Sequence, residues 1–174
     1  MECDILLKGG HLIDPKNDRD GTMDLAIKDG KVAAVGPDLA GTAAKTVDVS
    51  GLIVTPGLLD IHLHVYGGFD AWLFPDPHCL PQGVTTCMDT GGAGYKDFED
   101  FKDTVIAQAK TRVLALLNIV GAGMTGPPEQ DTTDMDPKKC AATIERYPEY
   151  LVGSKSAHFG GPGWESAGGA IEAA

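Results

Sequence analysis

From residue 57 onward the chain alternates apolar, β-branched runs with stretches of helical spacing, and this alternation restricts its architecture more than any other feature. Residues 58–65, 83–89 (GVTTCMD), 111–120 (TRVLALLNIV) and 150–155 read as strands. Between them, residues 97–110 place Phe98, Phe101, Val105, Ile106 and Ala109 at helical spacing. Residues 137–147 form a second helix that opens on Pro137, where a missing N–H costs nothing. Residues 166–174 read as the start of another. Strands that lead through helices to further strands make right-handed βα units and a parallel sheet. Four such strands are predicted.

The first fifty residues follow a different pattern. Short strands are predicted at residues 4–8, 11–13, 23–28, 31–35, 46–49 and 52–54, with breaks at Gly9-Gly10 and Asp14-Pro15. Asp29-Gly30 sits between two alternating runs and favours a type I′ hairpin turn. A small antiparallel sheet is the expectation. The fold class is therefore α/β, with residues 1–53 as a β-sandwich segment and residues 54–174 as a partial (βα) barrel. The final IEAA offers no capping glycine and no basic residue against the helix dipole, so the chain is expected to stop inside a helix.

Composition excludes several classes. The formal charge of −11 over 174 residues disfavours nucleic acid and anionic membranes, whose phosphates are held by clustered Lys and Arg. No apolar run approaches the ~18 residues needed to span a bilayer, and the opening MECDILLKGG has no basic leader with an apolar stretch behind it. Cys3, Cys79, Cys87 and Cys140 form no C-x-x-C pair and read as four reduced thiols, so a cytoplasmic location is expected.

Asp60-Ile61-His62-Leu63-His64 stands at the end of the first strand of the parallel set, after Thr55-Pro56-Gly57. Residues i and i+2 of a strand share a face, so His62 and His64 project together and can hold a divalent ion. A bare H-x-H is also common on surface strands; its place at the C-terminal end of a parallel strand, where barrel active sites are built, favours metal. Asp60 lies on the same side and is a candidate to orient a ligand. Lys155 closes the fourth strand. A lysine there is either a snorkelling surface residue or, if buried as a neutral amine, a nucleophile toward carbon dioxide, giving a carbamate with two metal-bridging oxygens. Tyr66, Asn118 and His158 are weaker pocket candidates, each with a packing or loop alternative; His11 and His78 read as structural.

LLKGGHLIDP, DLAIKDGKVAAVG, VDVSGLIVTPGLLDIHLHVYGG and LPQGVTTCMDTGGAG together resemble the amidohydrolase superfamily, on its dihydroorotase, hydantoinase and deacetylase side. TRVLALLNIVGAGM and YLVGSKSAHFGGPGW resemble a dihydroorotase-like deacetylase subgroup. The resemblance implies the N-terminal portion of an eight-stranded barrel enzyme hydrolysing C–N bonds of cyclic amides or N-acyl groups. It implies two divalent ions, zinc foremost, with His62 and His64 on the more buried ion and a carboxylated Lys155 as the bridge. The family pattern G-I-K or G-V-K is Gly153-Ser154-Lys155 here. Family members also use two histidines from the fifth and sixth strands and an aspartate from the eighth, which have no counterpart in this sequence. The chain is therefore expected to carry no catalytic residue of its own, to be inactive alone, and to need a missing C-terminal half or a partner chain. A non-catalytic amidohydrolase-like half that binds a partner is the alternative expectation, and a homo-oligomer a further one.

Overall fold

A computed structural model describes residues 1–67, 72–161 and 165–174, the side chains of residues 165 and 166 excepted. Two compact units divide it, Met1–Pro56 and Gly57–Ala174.

The first unit is a single five-stranded sheet. β1 (Glu2–Asp14), β2 (Arg19–Lys28) and β3 (Lys31–Gly36) run antiparallel in succession. Asp29 and Gly30 take φ of 51° and 70°, the left-handed values a type I′ turn requires. The Gly9-Gly10 break expected from sequence is a bulge within one long strand, with Gly9 at φ 74°. β4 (Thr42–Asp48) and β5 (Ile53–Val54) then pair with β1 in parallel rather than extending an antiparallel meander. The chain crosses over after β3 and restarts beside the N-terminus, where Thr42 N donates to Met1 O at 2.9 Å.

One buried carboxylate organises this sheet. Asp24 accepts hydrogen bonds from the Lys8 ammonium, from Gly9 N (2.9 Å) and from Leu39 N (2.9 Å). Burial by itself would raise the carboxyl's pKa, but the Lys8 contact and the two amides overrule it and hold Asp24 below its ordinary range.

The second unit is built on a four-stranded parallel sheet in the order β6 (Leu58–Leu63), β7 (Val84–Gly94), β8 (Arg112–Asn118), β9 (Leu151–Lys155). Helical segments follow each strand: α1 (Pro75–Cys79), α2 (Phe98–Thr104), α3 (Pro137–Arg146) and α4 (Glu165–Ala173). α1 was not expected from sequence, because PDPHC is too short to show a period. α2 ends sooner than predicted and gives way to a 3-10 turn at Ile106–Gln108. Thr104, Val105 and Ile106 are three β-branched residues in a row, and their stiff χ1 angles disfavour continuing the α-helix. α3 starts where predicted, with the Asp136 carboxylate accepting from Lys139 N at 3.1 Å. The core lies between sheet and helices, where Phe98, Phe101, Leu117, Ile119 and Val120 are fully buried.

β6 and β9 each have one sheet neighbour among the described residues. Leu59 and Ile61 of β6 are 53% and 64% exposed, and Val152 of β9 is 50% exposed. The sheet is an open arc with uncovered apolar residues on both edge strands.

Two stability predictions follow from the buried acids. Asp24→Ala strands the Lys8 charge and two amides, so urea titration is expected to show the first unit losing about 2 kcal/mol at neutral pH. Because the folded-state pKa of Asp24 is depressed, this difference is present at neutral pH and fades as pH falls below about 4. Asp97 behaves oppositely. Burial pushes its carboxyl up to about 6, against the hydrogen bond it accepts from Gly94 N, with Asp100 and Asp134 adding like charge. The unfolded chain then loses its proton first, so the stability Asp97 contributes at low pH is lost as pH rises through about 6. Asp97→Asn is expected to flatten that part of the pH–stability profile measured by thermal melting.

Candidate metal centre

A parallel sheet carries all its strand ends to one edge; here β8 and β9 end in Asn118 and Lys155, and His64 follows the end of β6. Leu63, just before His64, pairs in register with Asp89; Asn118 pairs with Gly94 on one side and Lys155 on the other. Residues far apart in sequence thus become neighbours along one rim.

His62 and His64 come together as their spacing implies. Their ring centroids are 5.8 Å apart and the planes perpendicular. His64 also packs on Trp72, with centroids 5.6 Å apart. Burial is the main reason the His64 imidazole titrates below its ordinary value; His62, Lys155 and His158 push the same way and Asp89 opposes them. Its Nδ1 is buried with no hydrogen-bond partner among the described residues. A buried polar nitrogen left unpaired is costly, and a neutral imidazole is the form that ligates metals.

Lys155 reaches the same rim through space left by a glycine. A Cβ on Gly91, whose φ is 94°, would lie 2.6 Å from Lys155 Cγ and 3.0 Å from its Cβ. The lysine is half-buried and forms no ion pair among the described residues. Neighbouring Asn118 is fully buried, and both ends of its amide are engaged: Nδ2 donates to Gly91 O at 3.0 Å and Oδ1 accepts from Val120 N at 3.0 Å. Asn118 braces the rim and has little left to offer a ligand.

The other sequence candidates separate. Asp60 accepts from the backbone N of His62 at 3.0 Å, and among the described residues it makes no hydrogen bond to either imidazole. Tyr66 turns toward the helices: its ring packs on Phe101 at 4.8 Å and its hydroxyl donates to Asp100 at 2.7 Å. His158 stays near the rim, with a backbone φ of 57° and Nδ1 3.0 Å from Glu129 Oε2. His11 pairs with Asp20 in the first unit, and His78 with the Phe74 backbone in the second.

Two acids of the rim escaped sequence reasoning. Asp89 is fully buried and accepts from Val65 N (2.7 Å), Tyr66 N (3.1 Å) and Gly92 N (2.6 Å). Burial holds its pKa above the ordinary range despite these donors and His64. Its signal was present as an acid closing a β-branched strand just before a glycine run. Glu129, in the β8–α3 connection, had no such signal. A cavity of about 560 Å³ adjoins the site through Trp72 and is lined by Val65, Tyr66, Phe74, Val105 and Ala109 among others.

Among the described residues no three His, Cys, Asp or Glu side chains gather as a metal-binding group, so the set named from sequence depends on Lys155 for its third member. The residues present nevertheless fit one divalent ion: two converging imidazoles, one with an unpaired buried nitrogen.

No family model matches the sequence. A deacetylase of Brucella anthropi is 33% identical over 143 residues, covering 78% of this chain and 36% of that protein. The crystal structure of a dihydroorotase superposes with TM-score 0.76 at 30% identity, covering 87% of this chain and 42% of that one. The crystal structure of an adenine deaminase superposes with TM-score 0.81 at 28% identity, covering 98% of this chain and 47% of that one. The chain spans between a third and a half of the length of these relatives. Sequence likeness over most of the chain, and a sheet that superposes with its polar rim at the strand ends, converge on one assignment: the chain belongs to the amidohydrolase superfamily, beside its dihydroorotases and deacetylases.

Proposed function

We propose that this chain carries the first metal-binding half of a hydrolase that cleaves C–N bonds in cyclic amides or N-acyl compounds. The observation that carries this is the His62–His64 pair, with the unpaired buried Nδ1 of His64, at the rim that Lys155 also reaches. His62 and His64 are the donors for one divalent ion, and histidine nitrogen suits zinc. Lys155, if carboxylated by carbon dioxide, would be the third donor, and the carbamate's second oxygen would suit a second ion. Bound metal would supply Lewis acidity toward an amide carbonyl. The chain's own residues fix the geometry: Asp89 pins the turn after the histidines, Gly91 admits Lys155, and Trp72 shields one face of His64. The four cysteines are free and buried, and no helix of the described residues is long and apolar enough to cross a membrane, which supports a reducing, cytoplasmic setting.

A second reading concerns what completes the site. The open edges of β6 and β9, with Leu59, Ile61 and Val152 uncovered, favour a further chain segment or partner that supplies the remaining strands and catalytic groups.

Both readings are testable. Zinc titration by calorimetry is expected to give one tight equivalent for the chain, with affinity falling at least ~10-fold in His64→Ala and in His62→Ala. Unchanged stoichiometry and affinity in both variants would sink the metal reading. For the second, light scattering of the chain mixed with the C-terminal remainder of a related deacetylase should show a complex and restored amide hydrolysis. A stable monomer with no association and no gain of turnover would count against it.

A further inference from the structure

The β8–α3 connection and the loop after β9 meet through three hydrogen bonds, two of which hold the backbone. Gln130 Nε2 donates to His158 O at 2.6 Å, and Gly160 N donates to Gln130 Oε1 at 2.9 Å. With Gln130 already clamping the loop on both sides of residue 159, the ring of His158 is not needed to hold it. The ring is nevertheless held by a carboxylate. Glu129, its side chain 3% exposed, offers Oε2 to His158 Nδ1 at 3.0 Å while Oε1 accepts from Gly126 N at 3.1 Å. Burying a carboxylate is costly, and here one is placed against a side chain that is itself 66% exposed. His158 also has a left-handed φ of 57°, a strained backbone state for a residue of this kind.

These features describe an imidazole whose Nδ1 is fixed and whose Nε2 forms no hydrogen bond among the described residues. The ring stands three residues beyond Lys155, whose strand end pairs in register with Asn118. The Asp89 and Glu129 carboxylates are already engaged, by three amides and by Gly126 N with His158, which leaves the His158 ring as an exposed donor of this loop.

We infer that His158, oriented by Glu129, is a ligand-recognition residue that receives a carboxylate oxygen of a small acyl compound at the rim. This rests on the strand-end site of the proposed function for its location, but not on metal occupancy. A carboxylate is recognised in this way through a charge-assisted hydrogen bond from Nε2 while Nδ1 donates to Glu129.

The test uses the full chain and acetate as the probe, with acetamide as its neutral isostere. Acetate is expected to move the His158 imidazole resonances and the amide signals of Gly126 and Gly160 saturably, while His11 stays still and acetamide has no effect. His158→Asn keeps a donor for Glu129, tolerates the left-handed backbone and lacks Nε2. It is expected to melt with the wild type and retain zinc affinity, yet weaken acetate at least about 10-fold. Glu129→Gln should keep the fold and weaken acetate as well, by releasing the ring. Acetate bound equally well by His158→Asn, or His158 resonances unmoved in the wild type, would overturn the inference. If the chain binds no zinc but acetate still moves His158, the metal reading fails and this one stands.

Discussion

Asp89 sits at the end of a central parallel strand with no solvent exposure, where a carboxylate must find donors or it cannot be buried. It finds three amides, two from the turn that follows His64 and one from the glycine run that follows itself. The contact therefore ties the two loops that frame the histidine pair to one fixed point. Remove that point and the direction of His64 is no longer set by the sheet, because among the described residues β6 has a neighbour on one side only. The orientation of both imidazoles depends on an acid that ligates nothing itself.

A similar economy of atoms runs along the rim. Gly91 lacks the side chain that would collide with Lys155, and Asn118 uses both ends of its amide to hold Gly91 and Val120 in place. Glu129 does for the ring of His158 what Asp89 does for the turn after β6: a buried carboxylate fixes its position. In each case a rim side chain is positioned by a neighbour more buried than itself. The rim is built to hold side chains still before anything arrives.

Much of the fold was legible in the sequence because period and punctuation are local properties. The β-branched runs at residues 83–89, 111–120 and 150–155 became β7, β8 and β9, and Asp29-Gly30 made its turn. α3 begins at Pro137 as its sequence dictates. What was not legible involved competition between local preference and long-range pairing. Gly9-Gly10 reads as a break, yet β1 runs through it because Asp24 receives the Gly9 amide and the partner strands continue on either side. The parallel pairing of β4 with β1 has no signature in β4 itself. Of the candidate site, the H-x-H spacing was legible because a strand's period of two is fixed by its backbone. Tyr66 was ambiguous, since only packing decides which way an aromatic ring past a strand end will turn, and here it turned toward Phe101 and Asp100.

By itself, the sequence determined that the chain would form a β-rich segment and then parallel βα units, and that His62 and His64 would share a face. These follow from backbone geometry and side-chain periodicity, which act over a few residues at a time. Only the tertiary structure decided that Asp89, Asn118, Lys155 and the Glu129–His158 pair would meet those histidines along one rim. Their convergence depends on strand register and loop closure across tens of residues, where the energy lies in burying and satisfying polar groups that no local pattern announces.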